Sequence, residues 1–370
     1  MKNRFSKYLS GASRRKRGLA IGLLALLLVL LGARVLAPSL IRNHVNGVLS
    51  DLDGYNGSIE DIDLSLIRGA YRVDGLILNK EHGGAEQPFL EVRSMDLSVE
   101  WLALFKGALV GELVLEEPKL SLVVSDRKER EQLGDEGNWV ETVQALFPFT
   151  LNRFEVKDGA VDWALEEDSP LGAVAVRKLN GVASDITNVD RKQGEALPSQ
   201  VRASGLLGEG APMELEGSFD LLAESLEMNL DFQCESIHLP YLNPILENYA
   251  NIDVRSGTLG IFVEWAVSSG EVDGYVKFLA RDIDVFQLGK EGGNPLSALW
   301  DAFAGFLITI TENRSKDQFA AKVPFKGKTS DLKAGVLPTI GSLLQNAFVR
   351  ALEGDVDGSV SLADLQAEGD

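Results

Sequence analysis

The sequence predicts a mainly β protein with a few helices, in which an N-terminal transmembrane helix leads into an extended antiparallel sheet. Three observations predict it: one long apolar run near the N-terminus, period-two alternation of apolar and polar residues through most of the remainder, and a strand–break–strand unit that recurs in degenerate copies.

The apolar run covers residues 18–37 (GLAIGLLALLLVLLGARVLA). As a helix it spans roughly 30 Å, the thickness of a bilayer core. Its membrane-spanning side chains are Leu19, Ile21, Leu23, Leu24, Leu26, Leu27, Leu28, Val29, Leu30 and Leu31. The one charge, Arg34, lies near the far end, where it can snorkel to the interface. Residues 1–17 carry seven bases and no acid, which places them in the cytoplasm and everything beyond Pro38 across the membrane. A cleavable signal peptide is the rival reading, with Val35-Leu36-Ala37 as its cleavage site. The run from Gly18 to Ala33 is long for a signal peptide, and Arg34 sits inside that site, so a retained anchor is expected.

Beyond residue 55 strands dominate. Ile62, Leu64 and Leu66 alternate with Asp61, Asp63 and Ser65. Met95, Leu97, Val99 and Trp101 alternate with polar residues, as do Met228, Leu230, Phe232 and Cys234. Met213, Leu215 and Phe219 oppose Glu214 and Glu216. Strands with one dry and one wet face are the antiparallel signature. Turns are expected at Asp74-Gly75, Gly83-Gly84, Asp158-Gly159, Gly205 and Asp273-Gly274. The recurring unit reads FEVKDGAVDW at 154–163, IDVRSGTLGI at 252–261 and LVLEEPKLSL at 113–122. Each copy fits a short hairpin or one strand bent at a bulge.

Helices are expected at 239–250, between two prolines, and at 38–52, continuing the anchor. Amphipathic helices at 294–312 and 338–352 are expected to cap the sheet near the C-terminus. The charged stretch 126–138 reads as a surface loop or boundary between a first β region (38–125) and a second (139–290), with 291–370 holding the C-terminal helices and closing strands.

With the eight bases up to Arg34 set aside, 28 bases face 55 acids, a balance of −27 for the body. That acidity argues against nucleic acid as a partner. Cys234 is the single cysteine, so no intrachain disulfide forms. Nucleophile-elbow, zinc-protease, P-loop and dinucleotide motifs are absent, and His44, His82 and His238 have no accompanying nucleophile or carboxylate pattern. No catalytic residue, cofactor or metal is expected. The Asp-x-Asp pairs at Asp51/Asp53, Asp61/Asp63, Asp282/Asp284 and Asp355/Asp357 read as residues sharing the wet face of a strand rather than as ligands. Leu97, Val99, Trp101, Trp163, Met228 and Trp265 fall on apolar strand faces, where they serve either a filled core or an interior that holds acyl chains.

A family resemblance rests on the order of several segments. The basic N-terminus and anchor lead into GSIEDIDLSL at 57–66 and PFLEVRSMDLSVEWLALFKGALVGELVLEEPKLSL at 88–122. FEVKDGAVDW, LPYLNPILENYANIDVRSGTL (239–259), KDQFAAKVPFKGK (316–328) and TIGSLLQNAFVRAL (339–352) follow. Over nearly its whole length the chain resembles the AsmA-like superfamily of Gram-negative bacteria, in a branch known as domain of unknown function family 748. The resemblance implies a single-pass inner-membrane protein with its bulk in the periplasm. It also implies a curved, groove-like sheet that binds or helps transfer phospholipid in the cell envelope. Inner-membrane lipid, a phospholipid ligand and other envelope proteins are the partners it implies. The alternative is a non-catalytic scaffold or assembly factor whose sheet edges or helices bind other membrane proteins.

Overall fold

The computed structural model describes residues 21, 22, 24, 37–52, 54–65, 70–81, 87–99, 110–124, 150–165, 174–186, 197–220, 227–244, 246, 253–287 and 318–328. A helix, α1 (residues 37–50), precedes thirteen strands. They are β1 (Tyr55–Ser58), β2 (Asp61–Ser65), β3 (Ala70–Lys80), β4 (Leu90–Val99), β5 (Val110–Val124), β6 (Thr150–Leu165) and β7 (Val174–Ile186). There follow β8 (Ser199–Leu207), β9 (Ala211–Asp220), β10 (Glu227–His238), β11 (Asp253–Ser268), β12 (Glu271–Gln287) and β13 (Gln318–Lys328). All thirteen form one curved sheet in which β3 to β13 lie side by side in chain order, with β1 and β2 both paired to β3.

The sheet is mixed rather than wholly antiparallel. β5 and β6 run parallel, from Val110 opposite Thr150 to Val124 opposite Leu165. Period-two alternation reports which face a side chain takes and is silent on strand direction. A parallel neighbour needs a connection of a dozen or more residues, and 25 separate these two strands. The stretch 126–138 belongs to that connection and lies outside the described residues; the strands on either side of it share one sheet. The other connections suit antiparallel neighbours. β11 and β12 meet in the two-residue turn Ser269–Gly270, with φ of 51° and 81°, the left-handed pair that matches strand twist.

The recurring unit is a single bent strand, not a hairpin. β5, β6 and β11 pass through their breaks unbroken, with φ of 51° at Glu117, 50° at Asp158 and 130° at Gly257. A bulge inserts one residue, and in a period-two pattern one extra residue would throw every later side chain to the wrong face. The apolar spacing absorbs the insertion. Leu113 and Leu115 resume at Leu120 and Leu122, and Phe154 and Val156 resume at Val161 and Trp163, all on one face. Asp74-Gly75 and Asp273-Gly274, expected as turns, lie inside β3 and β12. Gly75 adopts φ 65° within a ladder that keeps its register, and Gly274 is a close-packing site. Gly75, Glu117, Asp158 and Lys178 sit near one another in register across β3–β7, so their positive-φ kinks fall at a common level.

Two buried clusters hold the ends of the apolar face. At the N-terminal end Leu49 of α1, supported by Val45 and Leu52, packs on Ile62, Val73, Leu76, Leu78 and Val92. The spacing 45, 49, 52 is one helical stripe. Asn46 pins the helix in both directions: its Oδ1 accepts from the Ile59 amide at 2.8 Å, and its Nδ2 donates to the Ile59 carbonyl at 3.4 Å. At the other end the 3₁₀ turn Leu239–Leu242, started by Pro240, and Leu246 join Val254, Leu259, Phe278 and Phe325. The helix expected over 239–250 is thus a 3₁₀ turn running into helical residues 243, 244 and 246. The helices expected at 294–312 and 338–352 lie outside the described residues.

Candidate functional site

One row of register crosses the whole sheet. It runs Leu64, Tyr71, Leu97, Leu113, Phe154, Ala183, Val201, Gly217, Leu230, Trp265, Gly274, Phe325. The adjacent row, one residue away along each strand, runs Asp63, Arg72, Asp96, Val114, Glu155, Val182, Arg202, Glu216, Asp231, Glu264, Tyr275, Pro324. The first row holds no charged side chain, whereas the second holds eight: four on β2–β6 and four on β8–β11. Neighbouring residues on a strand point to opposite faces, so the sheet has one apolar side and one charged side.

Burial along the apolar side is uneven. Under α1 it is sealed, with Val92 at 0% and Ile62 at 2% exposed. On β12 it is sealed again by Val272, Val276 and Phe278. From β5 to β11 buried side chains (Leu113, Ala183, Cys234 and Val267) are interspersed with half-buried ones (Leu115, Leu120, Phe154, Val156, Val201, Leu215 and Leu230), and the half-buried Met228, Phe232, Val263 and Trp265 pack against the buried cluster of β10–β13. The 3₁₀ turn covers one margin of this stretch. Tyr241 lies against Gly208 in the β8–β9 turn, and its Oη accepts a hydrogen bond from the Ala175 amide of β7 at 3.0 Å.

Of the sequence-expected lining, Leu97 is on this face but buried at 1% exposed. Trp163 and Met228 are half-buried toward opposite strand ends, and Trp265 is half-buried between Leu230 and Gly274. Val99 ends β4 opposite Gly111; its side chain and the whole of Trp101 lie outside the described residues. Of the expected anchor, Ile21 and Leu24 are described, helical, and 68% and 60% exposed. Leu40 and Ile41 on the first turns of α1 are 67% and 38% exposed. No described helix is long and apolar enough to cross a membrane, and residues 18–20, 23 and 25–36 are outside the described set.

The chain has no match among protein-family models or curated proteins.

On the charged side an ion network ties β3–β5 together. Arg72 bridges Asp74 at 2.9 Å and Glu116 at 3.4 Å, while Arg93 reaches Glu116 at 3.0 Å and Glu117 at 2.9 Å. The hydrogen bond from Ser94 Oγ holds Glu116 below the usual carboxylate range, with Arg72 and Arg93 adding to the effect. His238 pairs with Glu209 at 2.9 Å near the surface. Asp61 and Asp63 are exposed on β2, and Asp282 and Asp284 are exposed on β12. Among the described residues no three His, Cys, Asp or Glu side chains converge as a metal cluster would.

One buried polar group escaped the sequence reading. At β11–β12 the charged side is also buried: Glu264 is 0%, Tyr275 1% and Lys277 4% exposed. Tyr275 Oη donates to Glu264 Oε1, Lys322 lies 3.6 Å over the Tyr275 ring, and Lys277 sits 5.5 Å over the Phe262 ring. Its signal was present in FVEWAV and YVKFLA, where single charges stand in strands apolar on both faces.

Asp231 lies between Glu216 and Glu264 in register, and burial first, then those two carboxylates, raises its pKa above the ordinary value. A raised folded-state pKa means the folded chain holds the proton to higher pH than the unfolded one. Stability therefore falls as pH rises from the ordinary carboxylate range through the folded value. Asp231→Asn is expected to stabilise the protein at pH 7 by about 0.2–1 kcal/mol, a like-charge cross-strand contribution. The gain should shrink at pH 4, near the ordinary value, and urea midpoints at the two pH values check it.

Cys234, fully buried on the apolar side, has its thiol pushed up to about 11 by burial, with Glu235 adding to it. Alkylation at pH 8 is expected to be at least ~100-fold slower in the native chain than in urea, since both thiolate fraction and access fall. Equal rates would mean that this part of the face is open.

Proposed function

We propose that the chain is a non-catalytic lipid-binding protein, anchored in the bacterial inner membrane through residues 18–37, with its sheet in the periplasm taking part in phospholipid handling. The observation that carries this reading is the apolar face of β5–β11, whose central register row holds no charged residue and which leaves Phe154, Val156, Val201, Leu215 and Leu230 half-buried. Such a surface gains about 0.8 kcal/mol for each acyl CH₂ it removes from water. The four exposed large apolar side chains given by the described residues, Ile21, Leu24, Leu40 and Ile41, all precede the sheet, which supports a bilayer at that end. The AsmA-like resemblance points the same way.

The test is photo-crosslinking of the full chain in cells. A benzophenone amino acid at Phe232 is expected to capture phospholipid, identified by mass spectrometry, whereas at Arg202 on the charged face it is not. Protein adducts at Phe232 in place of lipid would overturn the lipid reading in favour of an anchored scaffold.

A further inference from the structure

We infer that the sheet meets the bilayer end-on at β2–β6, with the strand ends at Ser65, Ala70, Val99, Val110 and Thr150 lying at the headgroup layer. The inference rests on the anchor in the reading above and adds which end of which strands touches the membrane.

The direction follows from how α1 lies on the sheet. Leu49 stands against Gly57, Asn46 bonds Ile59, and Arg42 Nη1 donates to the Glu60 carbonyl at 3.1 Å. Moving toward the helix N-terminus therefore moves forward through β1 and β2. α1 runs antiparallel to those strands, and its first turn points toward Ser65. Ala37, the last residue of the apolar run, itself packs against the cluster beneath α1. The run thus ends where the sheet begins, and no length of chain is left between them as a tether. Leu40 and Ile41, one turn on, are exposed beside it. From Arg42 to Ala37 is about 7.5 Å of helix, and from Glu60 to Ser65 is about 16 Å of strand. The ends of β2 and β3 therefore reach at least as far toward the bilayer as Ala37 does.

The connecting sequence tells the two margins of these strands apart. Register sets Ala70 beside Ser98, Val99 beside Gly111 and Val110 beside Thr150, so these ends form one margin. The chain that joins them reads LIRG (66–69) from β2 to β3 and EWLALFKGAL (100–109) from β4 to β5, and ALFPF (145–149) leads into β6. On the opposite margin EHGGAEQPF (81–89) joins β3 to β4, SDRKEREQLGDEGN (125–138) follows β5, and EEDSPLGA (166–173) follows β6. Apolar sequence with Trp, Phe and a base suits a bilayer interface, whereas acidic sequence is repelled by anionic lipid. At β7 the contrast stops: TNVDRKQGEALP (187–198) joins β7 to β8 on the first margin, so the contact ends at β6.

The full chain with Cys234→Ala, reconstituted into vesicles of phosphatidylethanolamine and phosphatidylglycerol, tests the contact, and co-flotation with the vesicles reports the anchor. An NBD fluorophore on Ser65→Cys is read against one on Glu81→Cys, past the far end of β3 and roughly 35 Å away. Quenching by a nitroxide on the lipid headgroup is expected to be at least threefold stronger at position 65. In chains that float, equal quenching at the two positions, or stronger quenching at 81, overturns the end-on contact and leaves the anchor standing. A chain that does not float overturns the anchor and this inference with it. If Ser65→Cys does not fold, Asp63→Cys, at an exposed position on the same strand, carries the same comparison.

Discussion

Gly274→Val is expected to destabilise the protein by about 3 kcal/mol or more, at the upper end of what overpacking costs. A Cβ at position 274 would stand 2.5 Å from the Glu264 carbonyl, 2.6 Å from Phe325 Cζ and 2.9 Å from Trp265 Cβ. The first of these is backbone in the neighbouring strand and cannot yield without opening the β11–β12 ladder. Glycine is present here because Trp265 and Phe325, its cross-strand partners, both need the space above it. Gly47→Ala supplies the opposite sign. Nothing lies within 4 Å of its added Cβ, and it sits in α1, where alanine gains about 0.5–1 kcal/mol over glycine. Urea unfolding of both variants measures the difference; a Gly274→Val chain as stable as the parent would mean that β11 and β12 are not packed as described.

Leu230→Glu is expected to lower bound phospholipid by ten- to a hundredfold, while Arg202→Ala leaves it unchanged. Leu230 lies in the middle of the half-buried stretch, between Gly217 and Trp265. A glutamate there forfeits contact with several CH₂ groups at ~0.8 kcal/mol each and would bring a carboxylate against the acyl chain. Two or three lost groups already amount to about 2 kcal/mol, more than tenfold in affinity. Arg202 belongs to the adjacent register row and so to the other face, paired across the strand with Glu216 at 3.7 Å. Its loss removes only an exposed ion pair, worth about 0–1 kcal/mol. Lipid extracted per mole of folded protein is the measurement, with circular dichroism to confirm the strands. Equal losses from the two substitutions would mean that binding does not distinguish the faces.

The two faces themselves were legible in the sequence. Leu97, Phe154, Leu230 and Trp265 stand in period-two patterns that leave one side apolar, and the five-residue steps from Leu115 to Leu120 and from Val156 to Val161 already record the bulges. A side chain's face depends only on strand periodicity and on inserted residues, which are local properties of the chain. Mainly β structure followed from the same local pattern, and the helix leading into the first strands was expected as a continuation of the apolar run.

Tertiary structure alone decided the rest. The parallel pairing of β5 with β6 depends on how a 25-residue connection returns, not on alternation within either strand. Asp158-Gly159 became a bulge rather than a turn because β5 and β7 continue alongside on either side and keep the strand extended. Leu97 and Leu230 carry the same apolar signature, yet one is sealed and the other half-open, and the buried Glu264–Tyr275 pair arises on a face that elsewhere is charged and wet. Burial is set by what packs above a residue, and that partner comes from distant parts of the chain.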